Sequence, residues 1–159
     1  MRFPALLSLA LILSSCQAPS SGPGAPQRFL RYSVKKSVPQ AGEKSPTHFV
    51  VEASLHGRGS ETQSHILVIY DSKWATLKVG EAGSAGKDIE ISDDGADPTA
   101  AELEQFSGTI IAAKCRERND KRIETDLRIY LVKNGHIAGK ERSSESLSDG
   151  ESKDLALNW

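Results

Sequence analysis

From Arg28 onward, large apolar and polar residues alternate in short runs. Leu30, Tyr32 and Val34 alternate with Phe29, Arg31 and Ser33. Phe49, Val51, Ala53 and Leu55 alternate with Val50, Glu52, Ser54 and His56. Leu67 and Ile69 share a face, and Ala75, Leu77 and Val79 continue it after a short turn. Ile89 and Ile91 suggest a further short strand. Ile111, Ala113 and Cys115 alternate with Ala112, Lys114 and Arg116, and Ile123, Thr125, Leu127, Ile129 and Leu131 with Glu124, Asp126 and Arg128. Leu155, Leu157 and Trp159 alternate again at the end. A period of two repeated between turn-rich stretches predicts a mostly β fold: an antiparallel β-sandwich or sheet of about 7–9 strands, with one wet face per sheet.

One segment departs from that period. Asp97 is a capping residue, Pro98 suits the first helical position, helix formers follow, and Gly108 is a stop. This predicts a short helix over about residues 97–107, with Leu103 and Phe106 turned towards the sheet.

Parity carries the pattern from elements to register. The inward residues on both sides of 118–122 are odd-numbered, so an antiparallel hairpin there needs an odd loop. Asn119-Asp120-Lys121 supplies it and sets Arg116 opposite Glu124, Lys114 opposite Asp126, Cys115 opposite Thr125 and Ala113 opposite Leu127. Shifting the loop one residue earlier would oppose Ala112 to Asp126 and use the charges less well. The same reasoning over residues 65–80 gives a loop Asp71-Ser72-Lys73 with Tyr70 and Trp74 as opposite neighbours. These aromatics are the candidate ligand platform; a clamp at the end of a hairpin is the favoured reading.

The first residues carry a different signal. Arg2 precedes an apolar and small stretch from Ala5 to Leu13, which is the charged and hydrophobic part of a secretory signal. It is too short to remain as a membrane-spanning helix, which takes about 20 residues. Leu13-Ser14-Ser15-Cys16 then resembles the lipobox of bacterial lipoproteins. The resemblance implies that residues 1–15 are removed and that Cys16 is lipidated at its sulfur. Two or more acyl chains would hold the protein on a membrane where one would bind only marginally. Gln17 stands where an aspartate favours the inner membrane in enteric-type lipoproteins, so the resemblance favours the outer membrane. Gln17 to Gln27 is rich in Pro, Gly and Ser. It reads, with Cys16, as a lipidated N-terminus and flexible linker over 16–27, with a mean reach of roughly 18 Å. Residues 28–159 form a single β-rich domain.

Composition narrows the remaining chemistry. The 159-residue chain has 20 basic and 21 acidic side chains, and loss of Arg2 leaves the remainder nearly neutral. There is no basic field for nucleic acid. With Cys16 acylated, the other cysteine, Cys115, has no partner for an internal disulfide. It lies on the inward face, where a thiol behaves as a small hydrophobe rather than a nucleophile.

His48, His56, His65 and His136 form no pair at metal-ligand spacing. His48 and His56 lie roughly 26 Å apart along an extended strand, so no metal is expected. Asp93-Asp94-Gly95-Ala96-Asp97 has the composition of a calcium loop without its spacing or terminal Glu. No nucleophile elbow, phosphate loop or dinucleotide fingerprint is present, so neither a cofactor nor catalysis is expected. The ending Leu155-Ala156-Leu157-Asn158-Trp159 is similar to the terminal aromatic signal of outer-membrane barrels. The charged outer faces of the strands argue against an integral barrel.

A second resemblance concerns Asp71-Ser72-Lys73-Trp74-Ala75-Thr76-Leu77-Lys78-Val79-Gly80-Glu81. It looks like a stretch of the secretin core domain, where a polar turn precedes an Ala-x-(Ile/Leu)-x-Val-Gly strand. Phe106-Ser107-Gly108-Thr109-Ile110 is similar to the next secretin segment, where a glycine opens a long hairpin. Lys114 and Cys115 stand where secretins usually have a proline, and the chain is too short for a pore subunit. The resemblance implies a hairpin fold and not channel activity.

The expectation is a lipid-anchored envelope protein with a non-catalytic β-domain. Its partners would be the membrane, through the lipid, and another envelope component that it binds or supports. The alternative is a small-ligand carrier or an enzyme with a pocket that periodicity does not reveal.

Overall fold

The computed structural model describes residues 28–42, 46–57, 62–80 and 88–159. The signal stretch, Cys16 and the linker lie outside them. Eight strands form in chain order: β1 (Arg28–Ser37), β2 (His48–Gly57), β3 (Gln63–Tyr70), β4 (Trp74–Gly80), β5 (Gly108–Glu117), β6 (Ile123–Lys133), β7 (His136–Leu147) and β8 (Ser152–Leu157). They make two four-stranded antiparallel sheets, in the orders β3-β2-β1-β8 and β4-β5-β6-β7. The sheets face each other as a sandwich. Its interior holds Leu30, Tyr32 and Val34 of β1 and Phe49, Val51 and Ala53 of β2. From the other sheet come Ile111, Ala113 and Cys115 of β5 with Ile123, Leu127 and Ile129 of β6.

The β5–β6 hairpin has the register that parity and charge require. Arg116 pairs with Glu124, Lys114 with Asp126, Cys115 with Thr125 and Ala113 with Leu127. Lys121 takes a positive φ of 66° and its amide donates to the Arg118 carbonyl at 3.0 Å, closing the three-residue loop. Arg116 reaches the Glu124 carboxylate at 2.6 Å. A cross-strand ion pair contributes about 0.2–1 kcal/mol, against about 1.5–3 kcal/mol for burying a large aliphatic side chain. Burial of Ile123, Leu127 and Ile129 therefore chooses the face, and charge refines the register. Lys114 and Asp126 are in register but find other partners: Lys114 bonds Asp93 at 2.7 Å, and Asp126 accepts from Ser144 Oγ at 2.6 Å.

The second expected hairpin does not exist. β3 pairs with β2 and β4 with β5, so Asp71-Ser72-Lys73 carries the chain from one sheet to the other. Tyr70 lies opposite His48, and Trp74 lies opposite Lys114. The turn itself is tight, with the Lys73 amide donating to the Tyr70 carbonyl at 3.0 Å and Ser72 at φ 58°. The Ser72 amide donates to the Cys115 carbonyl at 2.9 Å and ties the crossing to β5. β3 carries no charged residue whose pairing could have argued against the hairpin.

Two further expectations fail locally. Residues 97–107 form turns and not a helix. Thr99, not Asp97, is the capping residue: its hydroxyl donates to Glu102 at 2.5 Å, and its carbonyl accepts from Glu102 and Leu103 at 3.1 Å each. This is a capping box with a single helical turn behind it. Gln105 at φ 60° ends that turn before a second can form. Leu103 and Phe106 nevertheless face the sheet and are buried. Ile89 and Ile91 are buried too, but they pair with no strand.

The expectation of one wet face per sheet holds only in part. In β5 the consecutive residues Ile110, Ile111, Ala112 and Ala113 are all buried, as are Ile129 and Tyr130 in β6. The outer half of this sheet carries a second core of Ile110, Ala112, Tyr130 and Val132. It is covered by Ile89, Ile91, Leu103 and Phe106 from the segment 88–107, which links β4 to β5. That segment returns the chain at Gly108, where a Cβ would stand 2.2 Å from the Val79 carbonyl oxygen, so no side chain fits.

The Arg116–Glu124 contact gives a direct test of register. Glu124→Lys is expected to lower stability by a fraction of about 1 kcal/mol, and adding Arg116→Glu should recover most of that loss. Denaturant midpoints at low and high salt measure both effects. Simple additivity of the two changes would show that the side chains are not neighbours.

Candidate functional site

The richest cluster of polar side chains lies where the segment 88–97 crosses the outer face of β4-β5-β6-β7. Trp74 begins β4 at this point. The Arg128 guanidinium, from β6, stacks over its ring at 4.3 Å, a cation–π contact. The Trp74 Nε1–H donates to Asp93 at 2.8 Å, and Lys114 meets the same carboxylate oxygen at 2.7 Å. Arg128 also donates to the Ser92 carbonyl at 3.0 Å.

A few residues on, Asp97 receives Lys140 at 2.6 Å and Arg142 at 2.7 Å, both from β7. Arg142 donates as well to the Gly95 carbonyl at 2.9 Å. The two aspartates thus fasten one strap to three strands of the sheet.

The electrostatics arise from these contacts. Hydrogen bonding to Lys114, then to Trp74, holds the Asp93 carboxyl below the ordinary carboxylate range. Lys140, then Arg142, does the same for Asp97. Asp94 is lowered by the Ser92 hydroxyl and by the Ala96 amide, which donates to it at 2.9 Å. The acidic run that resembles a calcium loop in composition is therefore engaged by lysine, arginine, tryptophan and its own turn. Among the described residues, no group of three His, Cys, Asp or Glu side chains converges as a metal site would.

Two shallow grooves flank Trp74. One of about 450 Å³ runs past Asp93, Lys114, Arg128, Arg142 and Ser144. The other, of about 510 Å³, is lined by Lys73, Thr76, Lys78, Asp88 and Glu90 among others. In the first groove the cations at the wall already hold carboxylates or carbonyls, so the arrangement can orient and clamp.

Tyr70, the other candidate aromatic, sits on the opposite sheet. It is exposed, with the His48 ring 6.3 Å away. Tyr70 and Trp74 thus do not face each other across a hairpin, so there is no hairpin clamp. Tyr70 belongs to an open apolar ribbon with Ile66 and Val68, and Trp74 is a strut under the strap. Sequence reasoning missed the clamping roles of Asp93, Asp97, Arg128, Lys140 and Arg142. The one available signal was the unbroken apolar run 110–113, which needs cover on both faces.

Cys115 is fully buried, with its thiol 3.8 Å from the Thr125 hydroxyl, and burial pushes its pKa up to about 12. His56 stacks on Phe29 with ring centres 4.4 Å apart, and its Nδ1 lies 3.3 Å from the Thr62 hydroxyl. Comparisons with protein-family models, with curated proteins and with solved structures found no match to this chain.

Two outcomes are expected. Asp97→Asn should lower the melting temperature by a few degrees at neutral pH, on the order of 0.5 kcal/mol for exposed ion pairs. Because the folded-state pKa of Asp97 is lowered, its contribution is complete above the ordinary value of 3.8 and is lost as pH falls through the folded value. The gap between wild type and variant should therefore close in acid, which melting curves across pH would show. Separately, Cys115 should resist thiol reagents in the native protein and react once the chain is denatured. Fast native labelling would place that side chain elsewhere.

Proposed function

We propose that this chain is a lipid-anchored protein of the bacterial envelope. Residues 1–15 act as the signal, Cys16 bears the lipid, and residues 28–159 form a non-catalytic β-domain that binds or supports another envelope component. The observation that carries this reading is Leu13-Ser14-Ser15-Cys16 placed directly at the end of the apolar run Ala5–Leu13. Gln17 in the position after the cysteine favours the outer membrane.

The domain's chemistry supports a scaffold. Its densest polar cluster is occupied in fastening the strap, with Asp93 and Asp97 each shared between two donors. Its one thiol outside the lipobox is buried and strongly disfavours ionisation. β1 begins at Arg28, the first residue after the Pro-, Gly- and Ser-rich stretch that the sequence reads as a linker. The secretin-like stretches contribute nothing to the proposed role.

Cys16→Ser tests the anchor. Expressed in a bacterial host, the parent chain should incorporate labelled fatty acid and partition with membranes. The variant should lose the label and appear in the soluble envelope fraction. A variant that stays wholly with membranes, or a parent chain that takes up no label, would sink the reading.

A further inference from the structure

The free edge of the first sheet at β3 differs from the other edges of the sandwich. Among the described residues, four strands are edges: β3 and β8 in one sheet, β4 and β7 in the other. β4 carries Lys78, β7 carries Lys140, Glu141, Arg142 and Glu145, and β8 carries Lys153 and Asp154. Charges on an edge discourage another strand from adding to it. β3 reads QSHILVIY and contains no Asp, Glu, Lys, Arg or Pro. Its register with β2 runs without a bulge from Gln63 to Tyr70, so nothing twists the edge away.

Its outward residues are the exposed apolar side chains Ile66, Val68 and Tyr70, at 66%, 49% and 53% exposure. All other large hydrophobics of the described strands are covered at least in part. The ribbon is therefore a property of this one edge.

We propose that β3 pairs antiparallel with β3 of a second copy of this chain, about a two-fold axis through Val68. The occupant is chosen by the spacing and by the absence of like charges. The exposed triad is centred on Val68, so this axis sets Val68 against the partner's Val68. It also sets Ile66 against the partner's Tyr70 on both sides, leaving none of the three facing water alone. On the inward face the same register places Leu67 opposite the partner's Ile69, continuing the buried row. Just beyond the strand, Asp71 of each copy comes opposite the partner's His65, so a carboxylate acceptor meets an imidazole that can donate, twice. No like-charge contact arises, because neither β3 carries a formal charge. Aromatic–aliphatic cross-strand pairs of this kind are favourable, and an isologous interface closes on itself as a dimer. The two four-stranded sheets would become one continuous sheet of eight. This goes beyond the envelope role proposed above and does not depend on the anchor, since it uses β3 alone.

The full chain, solubilised in mild detergent, is tested by sedimentation and by disulfide trapping. The wild type is expected to sediment as a dimer. Val68→Lys puts two like charges on the axis and should weaken dimerisation by roughly tenfold or more. Its melting temperature should hold once the dimer contribution is allowed for, since Val68 is half exposed. Val68→Cys should form an intermolecular disulfide under mild oxidation. Ser64→Cys, on the same face, should not, because the two copies of that residue would lie about 26 Å apart. A wild type that stays monomeric, with a strand of some other protein left as the only occupant, overturns the proposal. So does a dimer that Val68→Lys leaves intact, or trapping at residue 64 as efficient as at 68.

Discussion

The sheet β4-β5-β6-β7 is apolar on both faces over its outer half, and much of the remaining structure answers that constraint. Ile110 and Ala112 point away from the sandwich while Ile111 and Ala113 point into it, and all four are buried. A sheet with only one dry face could end its chain in ordinary hairpins. This one needs a third layer, and the long link between β4 and β5 provides it. Ile89, Ile91, Leu103 and Phe106 supply the apolar cover, and ion pairs at Asp93 and Asp97 fix where it lies. The apolar contacts dominate the energy, since exposed ion pairs contribute at most about 1 kcal/mol each. The charges decide position: a strap without periodic backbone bonding to the sheet could otherwise slide along a greasy face.

That division explains which parts were legible in the sequence. At 111–127 two independent signals coincide, parity of the buried residues and complementarity of the charged ones, and together they determine the register. Around 71–73 only parity was present. Leu67, Ile69, Ala75 and Leu77 face the interior whether the chain turns back within a sheet or crosses between sheets, so parity cannot distinguish the two. The deciding factor is long-range: β5 is a better neighbour for β4 than β3 is, and β5 begins more than twenty-five residues after β4 ends. Competition of this kind between distant segments leaves no mark on a local pattern.

β7 shows a different failure. Its inward positions opposite β6 are Gly139, Glu141, Ser143, Glu145 and Leu147, and with Leu147 alone large and apolar no hydrophobic period would select the strand. The strand forms because β6 needs a neighbour and because Asn134-Gly135 turns the chain, with φ of 49° and 76° at the two residues. Asn-Gly between two extended runs is among the strongest short-range hairpin signals, and here it outweighs the polar composition of β7. The lack of bulk is made good from elsewhere. A Cβ on Gly139 would stand 2.8 Å from the Trp159 ring, and Asn158 donates to Glu141 at 3.0 Å. Asn158 and Trp159 therefore complete a strand whose own sequence fills its side of the sandwich only at Leu147.

The position of β1 bears on how an anchored domain would carry load. β1 lies between β2 and β8 and is paired to both along its first half, from Arg28 to Ser33. A lipid at Cys16 would transmit any load to the domain through Arg28, and a load with a component along the strand axis would shear its ladders. Force in that direction would load two ladders together, whereas the same pull on an edge strand would load only one. β8 supplies the second ladder, and it reaches β1 because the turn at 148–151 returns the chain from the second sheet, with the Gly150 amide donating to the Val34 carbonyl at 2.8 Å. The late crossing back to the first sheet thus places Arg28, where the proposed tether would join the domain, in the interior of a sheet. A β-domain tethered by its N-terminus gains most from such a placement, because the tether meets the fold where local fraying is least favourable.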